Sequence, residues 1–326
     1  MSREVRAILD MFEIVFLGTG GSIPTEGRNH PAIAIRFRGV VLLFDAGEDV
    51  QRQYMRAGLG LNRPMAIFVS HIHADHVIGL PGLLLRMSLL GRQRPLDIFG
   101  PKELIDYVRM TRDSIGLGTT FETTVYAVNE GRLWEHDGLS VRAFPVKHRG
   151  FALGFEVTYQ RLRGRFHPER AEALGVPRGP LWHELALGKA VEIDGHRIEP
   201  HEVSDPPPRP LKIVYSGDTR PCEALLEAAT GADVLIAEAM YASDKADLAQ
   251  ERGHMTAREA AMLASEANVG LLVLTHYSPR YELENGSTIL NEAREVFSNT
   301  ILAHDLMRVE VTWQGARVLA SRQTYS

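Results

Sequence analysis

The segment at residues 71–76, His-Ile-His-Ala-Asp-His, places four metal-binding side chains within six residues. Imidazole nitrogens and carboxylate oxygens are ligands of zinc. The segment follows an apolar run typical of a buried strand, and side chains alternate along an extended chain. His71 and His73 are therefore predicted to point to the same side, while Asp75 and His76 are predicted to point toward a second, neighbouring site. The segment supplies enough ligands to begin two metal sites and too few to complete either.

The missing ligands are expected at the ends of other strands. Four more apolar runs are predicted to be buried strands, and each ends at a polar residue. These residues are Asp45 after residues 40–44, Asp218 after residues 211–216, Glu238 at the end of residues 233–238 and His276 after residues 269–275. Functional groups of an open α/β sheet collect outside its strand ends, so these side chains should converge. We expect His148, Asp218 and His276 to complete the metal sites, and Asp45 to hold the histidine segment by hydrogen bonds.

The remaining pattern predicts an α/β protein whose strands and helices alternate. Thr256 with Glu259 three residues later forms a capping box before one of the predicted helices. Further strands are predicted at residues 12–17, 32–37 and 66–70, and helices at residues 77–90, 102–115, 221–230 and 256–267. The helix at residues 102–115 is expected to bury an apolar face that contains Leu104 and Ile115.

The stretch from residue 160 to residue 210 has a different character. It contains eight of the 17 prolines and few long apolar runs, which predicts an inserted arm with a loop that lies outside the core. Arg161, Arg163 and Arg165 lie near its start, and arginines on an arm suit contacts with phosphates. Such an arm would let an acidic protein bind RNA.

Length and composition narrow the possible classes of protein. A chain of 326 residues that is 44% hydrophobic can bury a large core. Its net charge of −5 argues weakly against a nucleic-acid partner. No apolar run approaches the roughly 20 residues of a membrane helix, and the N-terminus lacks a signal-peptide pattern, so we expect a cytoplasmic protein without a membrane partner. Cys222 is the only cysteine, which excludes an intramolecular disulfide and a thiolate zinc site.

The histidine motif resembles the signature of the metallo-β-lactamase superfamily. Across residues 14–310 the chain resembles, more specifically, the short form of the ribonuclease Z family, the tRNA 3′-processing endonucleases. The segments that carry this resemblance are residues 17–29, 44–48, 70–82, 145–148, 215–220, 253–257 and 275–281. Residues 175–182 resemble part of the flexible arm with which this family grips tRNA.

The resemblance implies two zinc ions per subunit and a role for each site residue. One zinc would be held by His71, His73 and His148, the other by Asp75, His76 and His276, and Asp218 would bridge both. Asp75 is also linked to activation of the water, and His254, supported by Glu238, to protonation of the leaving oxygen. Manganese or iron suits similar ligands.

The same resemblance implies the architecture and the partners. The expected fold is an αβ/βα four-layer sandwich, with one catalytic domain over residues 1–326 and an inserted tRNA-binding arm with its flanking loop at residues 158–200. The substrate would be precursor tRNA, and the protein would be a homodimer. Cleavage would leave a 3′-hydroxyl on the tRNA and a 5′-phosphate on the trailer. Candidate RNA contacts, besides the three arm arginines, are Arg28, Asn29, Ser278 and Arg280.

Two departures from the family pattern leave the metal ligands intact. The family's His-Glu-Ala-Thr is Ala-Glu-Ala-Met at residues 237–240, and its Asp-Cys-Gly-Glu-Gly-Thr is Asp-Ala-Gly-Glu-Asp-Val at residues 45–50. One alternative function is another phosphodiesterase on the same fold that acts on small esters or cyclic nucleotides, but such an enzyme would lack the arm. The other is a non-catalytic RNA-binding relative, which would have lost ligands that this chain retains.

Overall fold

The computed structural model describes residues 10–320, which form two compact units. The larger unit comprises the chain up to residue 134, residues 141–157 and the chain from residue 212 onward. The smaller unit comprises residues 135–140 and 158–211. Every helix within residues 10–320 is too short or too polar to cross a membrane.

The strands, in chain order, are β1 (Phe12–Gly18), β2 (Ala32–Phe37), β3 (Val40–Phe44), β4 (Met65–Phe68), β5 (Leu96–Gly100), β6 (Thr123–Ala127), β7 (Gly131–His136), β8 (Leu139–Pro145), β9 (Leu153–Tyr159), β10 (Val191–Ile193), β11 (His196–Ile198), β12 (Leu211–Tyr215), β13 (Val234–Glu238), β14 (Leu271–Thr275), β15 (Thr300–Leu302), β16 (Arg308–Thr312) and β17 (Gly315–Val318). The helices are α1 (Val50–Arg56), α2 (Ala74–Val77), α3 (Leu80–Leu89), α4 (Glu103–Ile115), α5 (Pro168–Ala173), α6 (Pro180–Ala186), α7 (Pro200–Val203), α8 (Glu223–Ala229), α9 (Ala246–Arg252), α10 (Ala257–Glu266) and α11 (Ser287–Arg294). Two 3₁₀ turns lie at Ser243–Lys245 and Pro279–Tyr281.

Two large sheets carry the fold. One has eight strands in the order β17-β16-β1-β2-β3-β4-β5-β6, and the other has seven in the order β15-β14-β13-β12-β9-β8-β7. The first sheet is mixed, because its strands pair antiparallel from β17 to β3 and parallel from β3 to β6. In the second sheet β12, β13, β14 and β15 pair in parallel. Parallel strands present their carboxyl ends at one edge, where the predicted site residues follow them.

The central strands of the parallel regions are mostly apolar in sequence. All residues of β3, β13 and β14 are buried, as expected of strands that are covered on both faces. The predicted α/β class is confirmed, and so is the capping box, in which Thr256 and Glu259 exchange hydrogen bonds at the start of α10. Helix α10 then buries Ala260, Ala261 and Ala264 against Leu272, with the spacing of one helix face.

Helix α4 forms over the predicted residues but buries less than we expected. Leu104 is its one buried residue among those described, and Ile115 is 69% exposed. The reason is local: Ile115 is the last helical residue, and the chain turns away at Gly116 with φ of 65°. The predicted apolar face therefore holds at the start of the helix and fails at its end.

The smaller unit has an apolar cluster of its own, which we did not predict for residues 160–210. It contains α5, α6, α7 and a hairpin of β10 with β11. Its own apolar cluster consists of Ala171, Val176, Leu185, Val191, Ile198 and Val203. These are single apolar residues spread over short elements, so they form no apolar run in the sequence. His167 adds a polar link, because its ring nitrogens lie 2.9 Å from Glu169 and 2.8 Å from Asp205.

Candidate metal centre

Seven predicted ligands come together from loops that follow strands of both sheets; we call this group the metal centre. His71 and His73 follow strand β4, and Asp75 and His76 lie on α2. His148 follows β8, Asp218 follows β12 and His276 follows β14. Residues separated by up to about two hundred positions in the chain therefore meet because the loops after these strands of the two sheets converge.

Three histidines form one half of the metal centre. His71 Nε2 lies 3.0 Å from His73 Nδ1, and His148 Nε2 lies 3.3 Å from the same His73 atom. These three nitrogens are within the mutual distances at which one ion can bind them all. His148 is oriented from outside the group, because its Nδ1 lies 2.9 Å from the carbonyl oxygen of Gly253. A donor–acceptor contact of this kind fixes the ring so that the other nitrogen faces the ion.

Asp75, His76 and His276 form the other half, and Asp218 lies between the halves. Asp75 Oδ2 is 3.5 Å from His276 Nε2 and 3.8 Å from His76 Nε2. Asp218 Oδ2 is 3.3 Å from His76 Nε2, 3.4 Å from His276 Nε2 and 3.8 Å from His71 Nε2. Asp218 therefore contacts histidines of both halves, as a bridging ligand must.

Unsatisfied buried atoms show that these residues fit a divalent metal. Within residues 10–320, the buried atoms without a hydrogen-bond partner include His76 Nε2, His276 Nε2 and Asp218 Oδ1. Leaving such atoms unpaired is costly, and native structures rarely do so. A cation held among them would satisfy all three.

The electrostatics of the centre favour the ligand forms of its carboxylates. Burial alone would raise the pKa of Asp218, but His276 and His76 outweigh it and hold that pKa well below its usual range. The pKa of Asp75 is also lowered: burial opposes the shift, and a hydrogen bond from His276 and the charge of His76 outweigh it. Burial and the neighbouring His76 lower the pKa of His71 well below its usual value. Ionised aspartates and a neutral His71 are the forms that bind cations.

Asp45 holds the histidine segment, as predicted. Its Oδ1 accepts a hydrogen bond from the Ser70 backbone at 2.7 Å, and its Oδ2 accepts one from the Ser70 hydroxyl at 2.9 Å. The same Oδ2 lies 2.8 Å from His76 Nδ1 and accepts a hydrogen bond from the Tyr215 hydroxyl at 2.7 Å. We did not predict Ser70 or Tyr215 as site residues. Each stands directly before a ligand-bearing turn, which is a signal that a sequence can supply.

His254 and Glu238 form a pair beside the metal centre. His254 Nδ1 lies 2.9 Å from Glu238 Oε1, and the ring of His254 lies 5.0 Å from that of His148. Glu238 is itself fixed, because Oε1 accepts from the Thr219 amide at 2.8 Å and Oε2 from the Met240 amide at 3.3 Å. Burial alone would lower the pKa of His254, but the charge and hydrogen bond of Glu238 raise it to about 9. The changed neighbours of Glu238 therefore leave the contact with His254 in place.

Arg28, one of the predicted RNA contacts, is buried in the structure. Arg28 is 4% exposed, and its Nη1 donates to the carbonyl oxygens of Tyr277 at 2.9 Å and Thr19 at 3.3 Å. Its guanidinium lies 3.6 Å from the centre of the Tyr277 ring. The side chain fastens the loop before β2 to the segment after His276, and its burial favours a structural role. Contact of Arg28 with RNA stays a prediction. Asn29 is engaged similarly, because its amide donates to Asp305 at 2.8 Å.

The other predicted RNA contacts fall into two groups. Ser278 is 7% exposed and accepts a hydrogen bond from Arg280 Nε at 3.1 Å, while the Arg280 guanidinium is exposed and lies 5.3 Å from the Tyr241 ring. In the smaller unit Arg163 and Arg165 are exposed and Arg161 is half-buried. Contact of these arginines with RNA stays a prediction.

Comparison with known proteins places the chain in a family. Residues 12–150 match the family model of Anti-Pycsar protein Apyc1, and residues 153–277 match the beta-lactamase superfamily domain. Ribonuclease Z from Methanosarcina mazei is 44% identical over 304 residues, which cover 93% of this chain and 99% of that protein. Ribonuclease Z from Archaeoglobus fulgidus is 42% identical over 305 residues, with the same coverage of both chains.

A solved structure with the same fold is that of human tRNase Z, short form. It has a TM-score of 0.66 and 27% identity, and the match covers 91% of this chain and 98% of that one. The metallo-beta-lactamase fold protein YhfI from Bacillus subtilis, at 20% identity and a TM-score of 0.65, shares the fold over 92% of this chain and 99% of its own. The chain has the metallo-β-lactamase fold and belongs to the ribonuclease Z family.

Proposed function

We propose that this chain is the endoribonuclease that removes the 3′ trailer from precursor tRNA, leaving a 3′-hydroxyl on the tRNA and a 5′-phosphate on the trailer. The observation that carries the proposal is the metal centre: seven ligands converge around buried, unsatisfied nitrogen and oxygen atoms. Membership of the ribonuclease Z family supplies the substrate class. A protein without hydrolytic activity would have no need for the complete ligand set together with the sequence of this family.

The metal centre is proposed to hold two zinc ions. His71, His73 and His148 would bind one ion, and Asp75, His76 and His276 the other, with Asp218 bound to both. The contacts of 3.0 to 3.8 Å between their ligand atoms support this division. When bound, the two ions supply Lewis acidity that activates water at neutral pH and offsets the charge of the scissile phosphate.

Asp75 and His254 are proposed to handle the protons. Asp75 accepts a hydrogen bond from the attacking water, which orients a lone pair of the water oxygen toward phosphorus, and the proton that the water loses as it attacks passes through the Asp75 carboxylate to solvent. As the new bond from that oxygen to phosphorus forms, the bond from phosphorus to the ribose O3′ breaks, and its electron pair stays on O3′. O3′ then takes the proton from His254 Nε2, while Glu238 keeps His254 Nδ1 in a hydrogen bond of 2.9 Å. Such a general acid typically contributes about 10²–10⁴-fold to the rate.

The smaller unit is proposed to bind the body of the tRNA. Exposed Arg163 and Arg165, with half-buried Arg161, give it a row of positive charge that suits phosphates. Such local positive charge would let a chain with a net charge of −5 bind RNA. We also propose that the protein is a homodimer and acts in the cytoplasm.

The test uses a 3′-extended precursor tRNA and bis(p-nitrophenyl) phosphate, each with and without a chelator. We expect cleavage at the 3′ end of the tRNA body, its loss on chelation, and its recovery with added zinc. His73→Ala should abolish cleavage, whereas His304→Ala, which changes an exposed histidine outside the metal centre, should not. Hydrolysis of the small ester alone would replace the tRNA assignment with that of a small-ester phosphodiesterase, and cleavage that survives chelation would reject the metal.

A further inference from the structure

Arg220 joins the turn that carries Asp218 to the backbone of His254. Its Nη1 donates to the His254 carbonyl oxygen at 2.7 Å and to Glu259 Oε2 at 2.8 Å, and its Nη2 contacts Glu259 Oε1. The Arg220 backbone amide donates to the Lys147 carbonyl oxygen at 2.7 Å. The side chain is 18% exposed, so water screens these contacts only partly.

Glu259 continues the link into the helix that follows His254. Its Oε2 accepts a hydrogen bond from the Thr256 amide at 2.8 Å, and the Glu259 amide donates to Thr256 Oγ1 at 3.2 Å. This is the capping box of α10, with one addition: the carboxylate also receives a guanidinium. The same carboxylate therefore fixes both the start of α10 and the orientation of Arg220.

The segment between α9 and α10 has few backbone contacts on the carbonyl side of His254, and Arg220 supplies one of them. Gly253 ends α9 with φ of 77°, a conformation that favours glycine, and His254 follows directly. The His254 amide donates to the Ala249 carbonyl oxygen at 2.9 Å, so its backbone is held on the amide side by α9 and on the carbonyl side by Arg220. Removal of Arg220 leaves the carbonyl side without that donor.

We propose that Arg220 and Glu259 are positioning residues for His254, and that their ion pair sets the place from which the imidazole protonates the leaving oxygen. The inference rests on the proposed function, in which His254 is the acid. The guanidinium is suited to this task because its planar fork donates to a carboxylate in two parallel bonds and fixes direction as well as distance. A lysine supplies the charge without that fork.

Leaving-group chemistry separates this role from general support of the fold. The ribose O3′ is a poor leaving group and needs a proton, whereas p-nitrophenolate leaves without one. A misplaced His254 therefore slows cleavage of precursor tRNA and leaves hydrolysis of bis(p-nitrophenyl) phosphate nearly unchanged. Damage to the metal centre slows both.

The experiment compares wild type with Arg220→Lys, Glu259→Gln and the double variant. Arg258→Ala is the matched control, because Arg258 lies on the same helix and pairs with Glu295 at 2.9 Å on the exposed surface. We expect Arg220→Lys and Glu259→Gln each to lower kcat on precursor tRNA by about 10- to 100-fold with little change in KM. Hydrolysis of bis(p-nitrophenyl) phosphate should fall less than about threefold, and the zinc content should stay at the wild-type value. The double variant should lose no more than the worse single variant.

Equal losses on the two substrates, or loss of zinc, would overturn the positioning role. Wild-type-like kcat in both single variants would overturn it as well. Failure of the proposed function looks different, since wild type itself would then leave precursor tRNA intact. In that event a dinucleoside monophosphate, whose leaving group is also a sugar oxygen, replaces the tRNA as substrate. The positioning role is then tested by comparing the loss of kcat on this substrate with the loss on bis(p-nitrophenyl) phosphate.

Discussion

Asp45 holds His76 through a contact of 2.8 Å between Oδ2 and Nδ1, at a place where neither side chain is exposed to solvent. The contact turns His76 Nε2 toward Asp218, 3.3 Å away. Burial alone would lower the pKa of His76, but Asp218 and Asp45 raise it well above its usual value. A ligand histidine between two carboxylates is the arrangement that orients a ring and strengthens its binding to a metal.

Loss of the Tyr215 hydroxyl should therefore weaken metal binding without touching a ligand. Tyr215→Phe removes the 2.7 Å hydrogen bond to Asp45 Oδ2 and leaves the ring in place. We expect zinc affinity to fall about tenfold, because the groups that orient a ligand typically contribute 10- to 100-fold. Competition with a chromogenic chelator measures the affinity. An unchanged affinity would show that Asp45 needs only Ser70 and His76 to hold its position.

The pair of His254 and Glu238 predicts how stability depends on pH in the metal-free protein. Since the folded pKa of His254 is raised to about 9, the pair's contribution to stability is complete below the unfolded pKa of about 6.5 and is lost as pH rises through 9. The free energy of unfolding of wild type minus that of Glu238→Gln should accordingly be larger at pH 6 than at pH 10. Urea unfolding in the presence of a chelator measures it. A difference that stays constant with pH would contradict the raised pKa.

The arm arginines should act through substrate affinity. Arg163→Ala with Arg165→Ala removes two exposed charges and leaves the apolar cluster of the smaller unit intact, which a deletion of residues 160–180 would not. We expect KM for precursor tRNA to rise about tenfold. The slope of log affinity against log salt should become shallower by about one for each phosphate that the variant no longer neutralises.

Hydrolysis of the small ester serves as the internal reference for the arm, and Arg109→Ala with Arg112→Ala, on exposed positions of α4, is the matched control. The reference rate and the control should both match wild type. Equal losses of activity on tRNA and on the small ester would show that Arg163 and Arg165 support the fold and do not bind substrate.

Arg28 should prove structural. Arg28→Met removes the donor to the Thr19 and Tyr277 carbonyl oxygens while keeping an unbranched side chain of similar reach. The expected loss of stability is about 1–3 kcal/mol, the usual cost of leaving buried polar groups unpaired. Thermal unfolding measures this loss. Affinity for tRNA, measured well below the unfolding temperature, should not change; weaker binding in a fully folded variant would restore Arg28 as an RNA contact.

The sequence predicted the metal centre because its ligands have two local signals. The histidine segment is compact, and Asp218 and His276 each follow a run of buried apolar residues whose meaning does not depend on the rest of the fold. The α/β class follows from the same runs. Short sequence motifs likewise predicted membership of the ribonuclease Z family.

Contacts that depend on tertiary structure were not predictable in this way. Arg28 is polar and precedes a strand, and the residues next to it in the sequence do not indicate that it packs on Tyr277, 249 positions later. The pairing of Arg220 with Glu259 is equally non-local. The core of the smaller unit was missed because its apolar residues, such as Ala171 and Val203, stand singly among polar ones and acquire a common interior only on folding.

The most direct test of the two-metal mechanism is a zinc titration of single-turnover cleavage, with metal-free protein and a 3′-extended precursor tRNA. Wild type should recover full trailer removal at about two equivalents of zinc, since both halves of the centre must be filled. Asp218→Ala, which lacks the residue between the halves, should recover none. Trailer removal by metal-free wild type, or recovery of Asp218→Ala to the wild-type level, would contradict the mechanism.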